Sequence, residues 1–252
     1  MPLSREDWHQ RFLIQAQWTE ALRLYFYDLI KKDNLLSVLD VGCGTGALLP
    51  EMNALSPAQI FGLDIDLDHL RMAQQVFPEC SLIGSDVHYL PIKTSSFDLV
   101  TCHYFLMWVG NPEHALSELH RITKPGGSVV AFAEPDYGGR IDYPPEFIRI
   151  RDYQISSLLN AGADPRLGRK LKSLFTAGGF SDLEYGVYQG SWQGDISTQE
   201  FESEWKILSD DLAGILNKSE LQALKKHDLG TRKQGSRVVY VPTFYAWGKV
   251  EK

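Results

Sequence analysis

The sequence of 252 residues predicts an α/β fold with a doubly wound, mostly parallel sheet of seven strands and an antiparallel edge strand. Short apolar runs alternate with helical patterns between residues 36 and 134, which is typical of successive βαβ units. Three glycines within five positions, in GCGTG at residues 42–46, allow a sharp turn from a strand into a helix. The alternating stretch at residues 237–250 predicts the antiparallel strand.

The first 35 residues are predicted to form a helical cap on the domain formed by residues 36–252. Ser4, followed three positions later by Asp7, marks a helix start, and apolar residues then recur at helical spacing to about residue 30. Two helical insertions, at about residues 140–164 and 190–235, exceed what the sheet needs and are predicted to form a lid.

Each remaining element follows from its own pattern. Strands are predicted at residues 37–41, 60–63, 81–83, 97–102 and 128–133, with helices between them at residues 47–55, 67–77 and 112–123. The turn KPGG leads into the fifth strand. In the tail, helices are predicted at residues 144–161, 165–177 and 198–229, and strands at residues 181–188 and 237–250.

The composition excludes several classes of function. A net charge of −7 argues against binding to nucleic acid. The three cysteines are scattered, so the sequence predicts neither a disulfide framework nor a metal site. The chain starts without an apolar leader and has no membrane-spanning run, so a cytoplasmic location without a membrane partner is expected. The sequence carries no signal for an oligomeric state.

Two kinds of cofactor suit the glycine turn: a nicotinamide dinucleotide and S-adenosylmethionine. Both need an acid such as Asp64, at the end of the second predicted strand, to accept ribose hydroxyls. Asp40 directly precedes the glycines, and no Lys or Arg occurs between residues 38 and 58. Two acids favour S-adenosylmethionine, a net cation, over a pyrophosphate. Backbone amides alone also bind phosphate, so these residues leave both cofactors open.

Four ordered stretches narrow the choice. They are VLDVGCGTG at 38–46, FGLDID at 61–66, GSDVHYLPIKTSSFDLV at 84–100 and ALSELHRITKPGG at 115–127. With them the sequence resembles the class I S-adenosylmethionine-dependent methyltransferases, in the small-molecule branch that includes quinone and sterol methyltransferase-like domains. The resemblance covers about residues 36–134 and implies a Rossmann-like fold with S-adenosylmethionine as the cofactor.

The resemblance also implies which residues bind the cofactor. They are Asp40, Gly42, Cys43, Gly44 and Gly46 at the methionine part, Asp64 at the ribose, and Ile65, Asp86 and Val87 at the adenine. The alternatives are a helix N-cap for Asp64 and a turn-capping role for Asp86. Arg11 is our hypothesis for the cofactor's carboxylate, because an amino-terminal helix commonly covers this site in related proteins. A solvated helix face is its alternative.

In the resembled family, the residues just after the fourth strand face the methyl group. Here His103 and Tyr104 are the predicted catalytic residues, with His103 also at the cofactor. The ordinary pKa of histidine makes His103 a candidate general base. The alternative is a hydrogen-bonded histidine that lines the cofactor. Many relatives carry Asn-Gly-x-Leu-His at this point, whereas this chain has HYFLM.

The acceptor is expected beside this segment and the loop after the fifth strand, since ligands bind at the carboxyl ends of parallel strands. The predicted acceptor-binding residues are Phe105, Met107, Glu134, Asp136, Tyr137, Arg140 and Tyr143. Arg140 pairs either with an acidic acceptor or with a neighbouring aspartate.

The predicted function is transfer of a methyl group from S-adenosylmethionine to oxygen, nitrogen or carbon of a small organic acceptor, by in-line displacement. One alternative is a regulator or partner subunit that binds the cofactor without catalysis. The other is an oxidoreductase that uses NAD(P). A small-molecule acceptor is the partner that the prediction names.

Overall fold

The structure is a computed structural model that describes residues 4–30, 35–188 and 196–251. Residues 190–195 of the predicted lid lie outside these ranges. Across the described ranges, no helix combines the length and the apolar character needed to cross a membrane.

A seven-stranded sheet forms the centre of the fold. The strands of the structure are β1 (Ser37–Val41), β2 (Gln59–Asp64), β3 (Ser81–Gly84), β4 (Phe97–Cys102), β5 (Thr123–Pro135), β6 (Ile141–Tyr143), β7 (Ser181–Tyr188), β8 (Val238–Tyr240) and β9 (Thr243–Lys249). The order in the main sheet is β3-β2-β1-β4-β5-β9-β7, while β6 and β8 pair separately. The first five are parallel, and β9 runs antiparallel to β5 and to the edge strand β7. The predicted fold class is confirmed.

Helices pack around this sheet. They are α1 (Arg5–Trp18), α2 (Glu20–Ile30), α3 (Leu49–Leu55), α4 (Leu67–Val76), α5 (Pro112–Ile122), α6 (Ile148–Asn160), α7 (Leu171–Ala177), α8 (Thr198–Asp211) and α9 (Lys218–Lys233). The three helices predicted between the first five strands end within two residues of α3, α4 and α5.

Three predicted single elements are each two elements in the structure. The N-terminal helix is interrupted at Thr19, and the helix at 198–229 is interrupted between α8 and α9, where Asn217 caps α9. The final strand breaks before Pro242, so β8 and β9 belong to different sheets. Proline has no N–H to donate to a sheet ladder, which explains the last break. In the sequence, the spacing of apolar residues continues across each of these interruptions. The sequence pattern therefore did not predict them.

Successive residues of the central strands are buried on opposite faces of the sheet. Val100 and Val129 pack into one apolar cluster, and Leu99 and Val130 pack into another, all fully buried. Burial on both faces is expected where helices cover a parallel sheet. A third cluster around Trp205 joins α6, α8 and α9, so the helices of the two predicted insertions share an apolar core of their own.

The sheet has its topological switch point between β1 and β4: β1 pairs in parallel with β2 on one side and with β4 on the other. A crevice opens at the carboxyl ends of strands at such a point. Helix α1 covers it: Asp7 forms an ion pair with Lys206 of α8, and His9 Nδ1 lies 2.8 Å from Thr45 Oγ1 of the glycine turn. Helix α1 therefore contacts both the glycine turn and α8 at one end of the sheet.

Candidate active site

A cavity of about 510 Å³ opens at this end of the sheet. Its volume falls within the range of roughly 300–1,000 Å³ that is usual for small-molecule sites. The predicted site residues that line it are Asp40, Gly42, Cys43, Gly44, Asp64, Ile65, Asp86, Val87, His103, Tyr104 and Phe105. The structure brings most of the predicted cofactor site together around this space, called the large cavity below.

The glycine turn runs directly along the large cavity. Gly42 and Gly44 have left-handed backbones, with φ of +71° and +52°. A Cβ atom on Gly42 would lie 2.2 Å from a ring carbon of Phe105, and one on Gly44 would lie 3.2 Å from the ring of Phe12. The N–H of Gly42 donates to the carbonyl of Leu63 at 2.7 Å, which ties the turn to β2. A side chain at Gly42 is excluded both by conformation and by space.

Asp64 is fixed by one backbone donor on each carboxylate oxygen. Its Oδ2 accepts from the N–H of Gly44, and its Oδ1 from the N–H of Asp66, both at 2.8 Å. A carboxylate has about four acceptor positions, so acceptor capacity remains for a ligand in the cavity. The N-cap of α4 is Asp66 rather than Asp64, so the alternative role for Asp64 is wrong.

Asp40 is buried beside the glycine turn and lines the large cavity. Burial raises the pKa of this carboxyl to about 7, although the Thr101 hydroxyl, 3.0 Å from Oδ1, and the charge of Arg23 oppose the rise. A cationic group that enters the cavity would stabilise the ionised carboxylate. The site therefore favours a ligand with a positive charge near Asp40.

Asp86 both lines the large cavity and forms a turn. Its Oδ1 accepts from the N–H of His88 at 2.9 Å and lies 2.7 Å from Nδ1 of that ring. These contacts lower the pKa of Asp86. Asp86 thus makes the turn-capping contacts of the alternative interpretation and also lines the large cavity, next to the buried Val87.

His103 follows β4 and belongs to a polar network beneath the first two helices. Its Nε2 lies 2.7 Å from the hydroxyl of Thr19, which accepts from Arg23 Nη1 at 2.6 Å. Glu51 holds Arg23 in a bidentate ion pair. The carbonyl contacts of the Thr19 hydroxyl are longer, at 3.4 Å, so we assign its proton to Nε2 and the imidazole's own proton to Nδ1.

The pKa of His103 is lowered to about 3 by burial and by the charge of Arg23. The imidazole is therefore neutral at physiological pH. Its conjugate acid is so strong that it is poorly matched to general-base work near neutrality. The geometry favours the alternative role, a hydrogen-bonded histidine that lines the cavity.

Tyr104 turns the chain sharply after β4, with a left-handed φ of +50° that is uncommon outside glycine. The backbone amides that follow then point at Glu134, whose buried carboxylate accepts from the N–H groups of residues 105, 106 and 107 at 3.0, 2.7 and 3.1 Å. Burial raises the pKa of Glu134 to about 7 against these donors. Glu134 does not line either cavity, so its predicted contact with the acceptor is corrected: it supports the loop.

A second cavity, of about 150 Å³, adjoins the first. Gln15 and Tyr104 line both. Tyr137 and Arg140, predicted at the acceptor, line the second cavity, and so does Arg11, which was predicted at the cofactor carboxylate. Its other walls include Trp18, Gln154, Tyr188, Leu208 and Tyr240.

Four more predicted residues lie outside both cavities. Met107 is buried in the core, Asp136 forms an ion pair with Arg169, and Tyr143 is exposed at the surface. Their predicted contact with the acceptor is corrected, because a position near a strand end does not determine the direction of a side chain. Gly46 packs against α4, where a Cβ atom would lie 3.0 Å from Ala73, so it supports the turn from outside the cavity.

Sequence reasoning predicted a helical cap but not which residues of α1 line the large cavity. Trp8, Phe12 and Gln15 line it, at a spacing that puts them on one helix face. That stripe was visible in the sequence, but the same spacing is typical of packing. His69, His88 and Trp108 also line the cavity without having been predicted. Within the described residues, no group of three or more His, Cys, Asp and Glu side chains could hold a metal ion.

Residues 39–131 match the family described as a methyltransferase domain. This range contains the glycine turn, Asp64, Asp86 and His103. Over this range the chain is similar to that family of methyltransferase domains, as the resemblance of the sequence motifs implies. A demethylmenaquinone methyltransferase of Renibacterium salmoninarum is 38% identical over 103 residues, which are 40% of this chain and 43% of the relative.

A malonyl-[acyl-carrier protein] O-methyltransferase of Pseudescherichia vulneris is 34% identical over 93 residues, 37% of each chain. The chain thus spans less than half the length of either of these two relatives. Among solved structures, a putative methyltransferase of Bacillus halodurans superposes with a TM-score of 0.58 at 15% identity, covering 90% of this chain and 99% of that one. This likeness shows the fold alone.

Proposed function

We propose that this protein transfers a methyl group from S-adenosylmethionine, bound in the large cavity, to a small organic acceptor bound in the second cavity. The observation that carries the proposal is the junction of the two cavities at Tyr104 and Gln15. Methyl transfer requires the two reacting atoms to approach within roughly 3–3.5 Å. Two cavities that share Tyr104 and Gln15 as lining residues would allow the methyl group and the acceptor atom to come this close.

The residues of the large cavity fit the cofactor of this family. Gly42, Cys43 and Gly44 line the large cavity beside the acidic Asp40, so the backbone of the turn is accessible to the methionine part. The fixed carboxylate of Asp64 has free acceptor capacity for two ribose hydroxyls. Ile65 and Val87 offer apolar surface for the adenine, and Asp86 an acceptor for its amino group.

S-adenosylmethionine, when bound, supplies a methyl carbon that is already activated by a positive sulfur. The chain's own residues then need only to align the acceptor and exclude water. The aromatic rings of Trp8, Phe12 and Phe105 line the large cavity and limit the entry of water. Acid–base chemistry is needed only for an acceptor that must lose a proton.

Tyr104 and His103 act as positioning groups in this proposal. Burial raises the pKa of Tyr104, so its phenol stays protonated and offers both a donor and an acceptor where the cavities meet. His103 presents a neutral ring at the large cavity, with Nδ1–H available as a donor to the methionine carboxylate. Neither group is expected to remove a proton at neutral pH.

Calorimetric titration with S-adenosylmethionine, S-adenosylhomocysteine and NADH tests the proposal. We expect heat from the two sulfur compounds and none from NADH. The Asp64→Asn variant, which loses one charge but no volume, should bind them at least about tenfold more weakly, because hydrogen bonds to charged groups contribute about 1.5–3 kcal/mol. Binding of NADH alone would contradict the proposal and support the oxidoreductase alternative.

Catalysis is tested separately from binding. Incubation with methyl-labelled S-adenosylmethionine and a metabolite extract should release S-adenosylhomocysteine and label a small molecule. Tight cofactor binding without any label transfer would support the alternative of a non-catalytic regulator.

A further inference from the structure

Arg11 projects from α1 into the second cavity without an ion-pair partner. Its guanidinium lies over the ring of Trp18, 4.7 Å from the centroid, and its Nη1 is buried without a hydrogen-bond partner. The Nε1–H of Trp18, in the same wall, is also buried and unpartnered. Both groups are hydrogen-bond donors, and leaving a buried donor without a partner is unfavourable. Neither of these two donors has an acceptor within hydrogen-bond distance.

The other charged groups of this cavity are already paired. Arg140 donates to Asp142 at 2.6 and 3.0 Å and to Gln154 at 2.5 Å. The carboxylate of Glu204 accepts from Arg232 at 3.0 Å. Within the ranges that the structure describes, Arg11 is thus the guanidinium in this cavity that no carboxylate approaches to 4.0 Å.

We propose that the acceptor carries a single carboxylate on a small, flat apolar body, and that Arg11 and Trp18 Nε1 bind this carboxylate. The inference rests on the proposed function, because it places the acceptor in the second cavity. The forked guanidinium matches the two oxygens of a carboxylate. One unpaired cation suits a monoanion better than a dianionic phosphate.

The aromatic walls of the second cavity and the distance along α1 between Arg11 and Gln15 determine the orientation of this acceptor. Trp18, Tyr137 and Tyr240 offer aromatic surface around a space of about 150 Å³, which suits a single-ring compound. Arg11 lies one helical turn, about 6 Å, before Gln15 at the junction. The carboxylate therefore binds away from the junction, and the atom that receives the methyl group is directed toward Tyr104.

Calorimetry in the presence of saturating S-adenosylhomocysteine tests the inference with matched probes. Benzoate and phenylacetate are the acids, and benzamide and phenylacetamide are neutral molecules of the same shape. We expect the wild-type protein to bind at least one acid about tenfold or more tightly than its amide. Arg11→Gln should abolish this preference, and Arg11→Lys should retain part of it, since lysine keeps the charge but loses the fork. Trp18→Phe, which removes the N–H together with the pyrrole ring of the indole, should weaken binding of the acids several-fold and binding of the amides less.

The control is Arg5→Gln, which changes an exposed arginine of the same helix that pairs with Asp68. It should leave the affinity for S-adenosylhomocysteine and for the acids unchanged. If Arg11→Gln instead weakens S-adenosylhomocysteine tenfold and spares the acid preference, Arg11 holds the cofactor and the inference is overturned. Equal binding of acids and amides by the wild-type protein, or no binding of either, also overturns it. Failure of S-adenosylhomocysteine itself to bind would instead refute the proposed function.

Discussion

The Nε2 of His103 lies 2.7 Å from the hydroxyl of Thr19, the residue that separates the first two helices. This contact joins the end of the fourth strand to the helical cap. Through Arg23 it extends to Glu51 of α3, so three elements around the large cavity share one polar network. The helix break that the sequence did not reveal is the place where this network is anchored.

The first prediction concerns the protonation of His103. Because its pKa is lowered to about 3, the ring should remain the neutral Nδ1–H tautomer from pH 5 to pH 8. Long-range ¹H–¹⁵N NMR spectra of the histidine rings report tautomer and titration directly. An unfolded histidine binds its proton near pH 6.5, so this residue makes stability rise with pH between about 3 and 6.5. A midpoint near 6.5 for His103 in the folded protein would contradict the prediction.

The second prediction concerns proton release on cofactor binding. The pKa of Asp40 is raised to about 7, and the cofactor's ammonium group should lower it, so binding near pH 7 should release a fraction of a proton. Affinity for S-adenosylmethionine should accordingly increase from pH 6 to pH 8. Calorimetry in two buffers of different ionisation enthalpy measures the released proton. Asp40→Asn should eliminate the release, whereas proton uptake in the wild-type protein would refute the assignment.

The third prediction separates the support of the loop from cofactor binding. Glu134→Gln replaces one acceptor oxygen by an NH₂ group that faces backbone N–H donors, so unfolding should become easier by about 1–3 kcal/mol. Label transfer should fall more than the affinity for S-adenosylhomocysteine, because Tyr104 belongs to the displaced loop. Thermal unfolding and calorimetry give the two readouts.

The matched control for that variant is Glu202→Gln, since Glu202 forms an exposed ion pair with Lys225. A surface pair contributes about 0–1 kcal/mol, so its loss should change little. Equal effects of the two variants on unfolding would show that Glu134 does not hold the loop.

The fourth prediction concerns the glycine turn. Gly42→Ala places a methyl group 2.2 Å from a carbon of Phe105 on a left-handed backbone, and it should abolish cofactor binding. Gly230→Ala is the control, because no heavy atom lies within 4 Å of its added Cβ and alanine favours the helix. Circular dichroism checks folding. Normal cofactor affinity in folded Gly42→Ala protein would show that the packing of Phe105 on this turn is not needed for binding.

The sequence predicted the parallel half of the fold well because strand burial there depends on local pattern. The bounds of β1 and β4 agree with the predicted ones, and the glycine turn lies at the expected sheet edge. The break before Pro242 was missed because alternation of side chains continues across it. Pairing with distant strands, β6 and β5, decided where each half of that segment belongs.

Site residues were predictable where the course of the backbone alone brings them to the cavity. They were less predictable where the direction of the side chain determines what the residue contacts. Asp40 and Asp64 lie at strand ends and line the large cavity as expected. Glu134 also lies near a strand end, yet its carboxylate turns to the amides of residues 105–107. Arg11 could be placed on a helix, but which cavity it enters depends on how α1 packs, and helical spacing does not encode that.

Helix α1 gives Trp8 and Phe12 to the large cavity and Arg11 and Trp18 to the second, with Gln15 in both. Because these residues belong to one continuous helix, a displacement of α1 that opened one cavity would also change the wall of the other. Occupancy of either chamber should therefore slow the exchange of whatever fills its neighbour. Residence times of two unlike molecules become linked through a single piece of secondary structure, in addition to the contact between them.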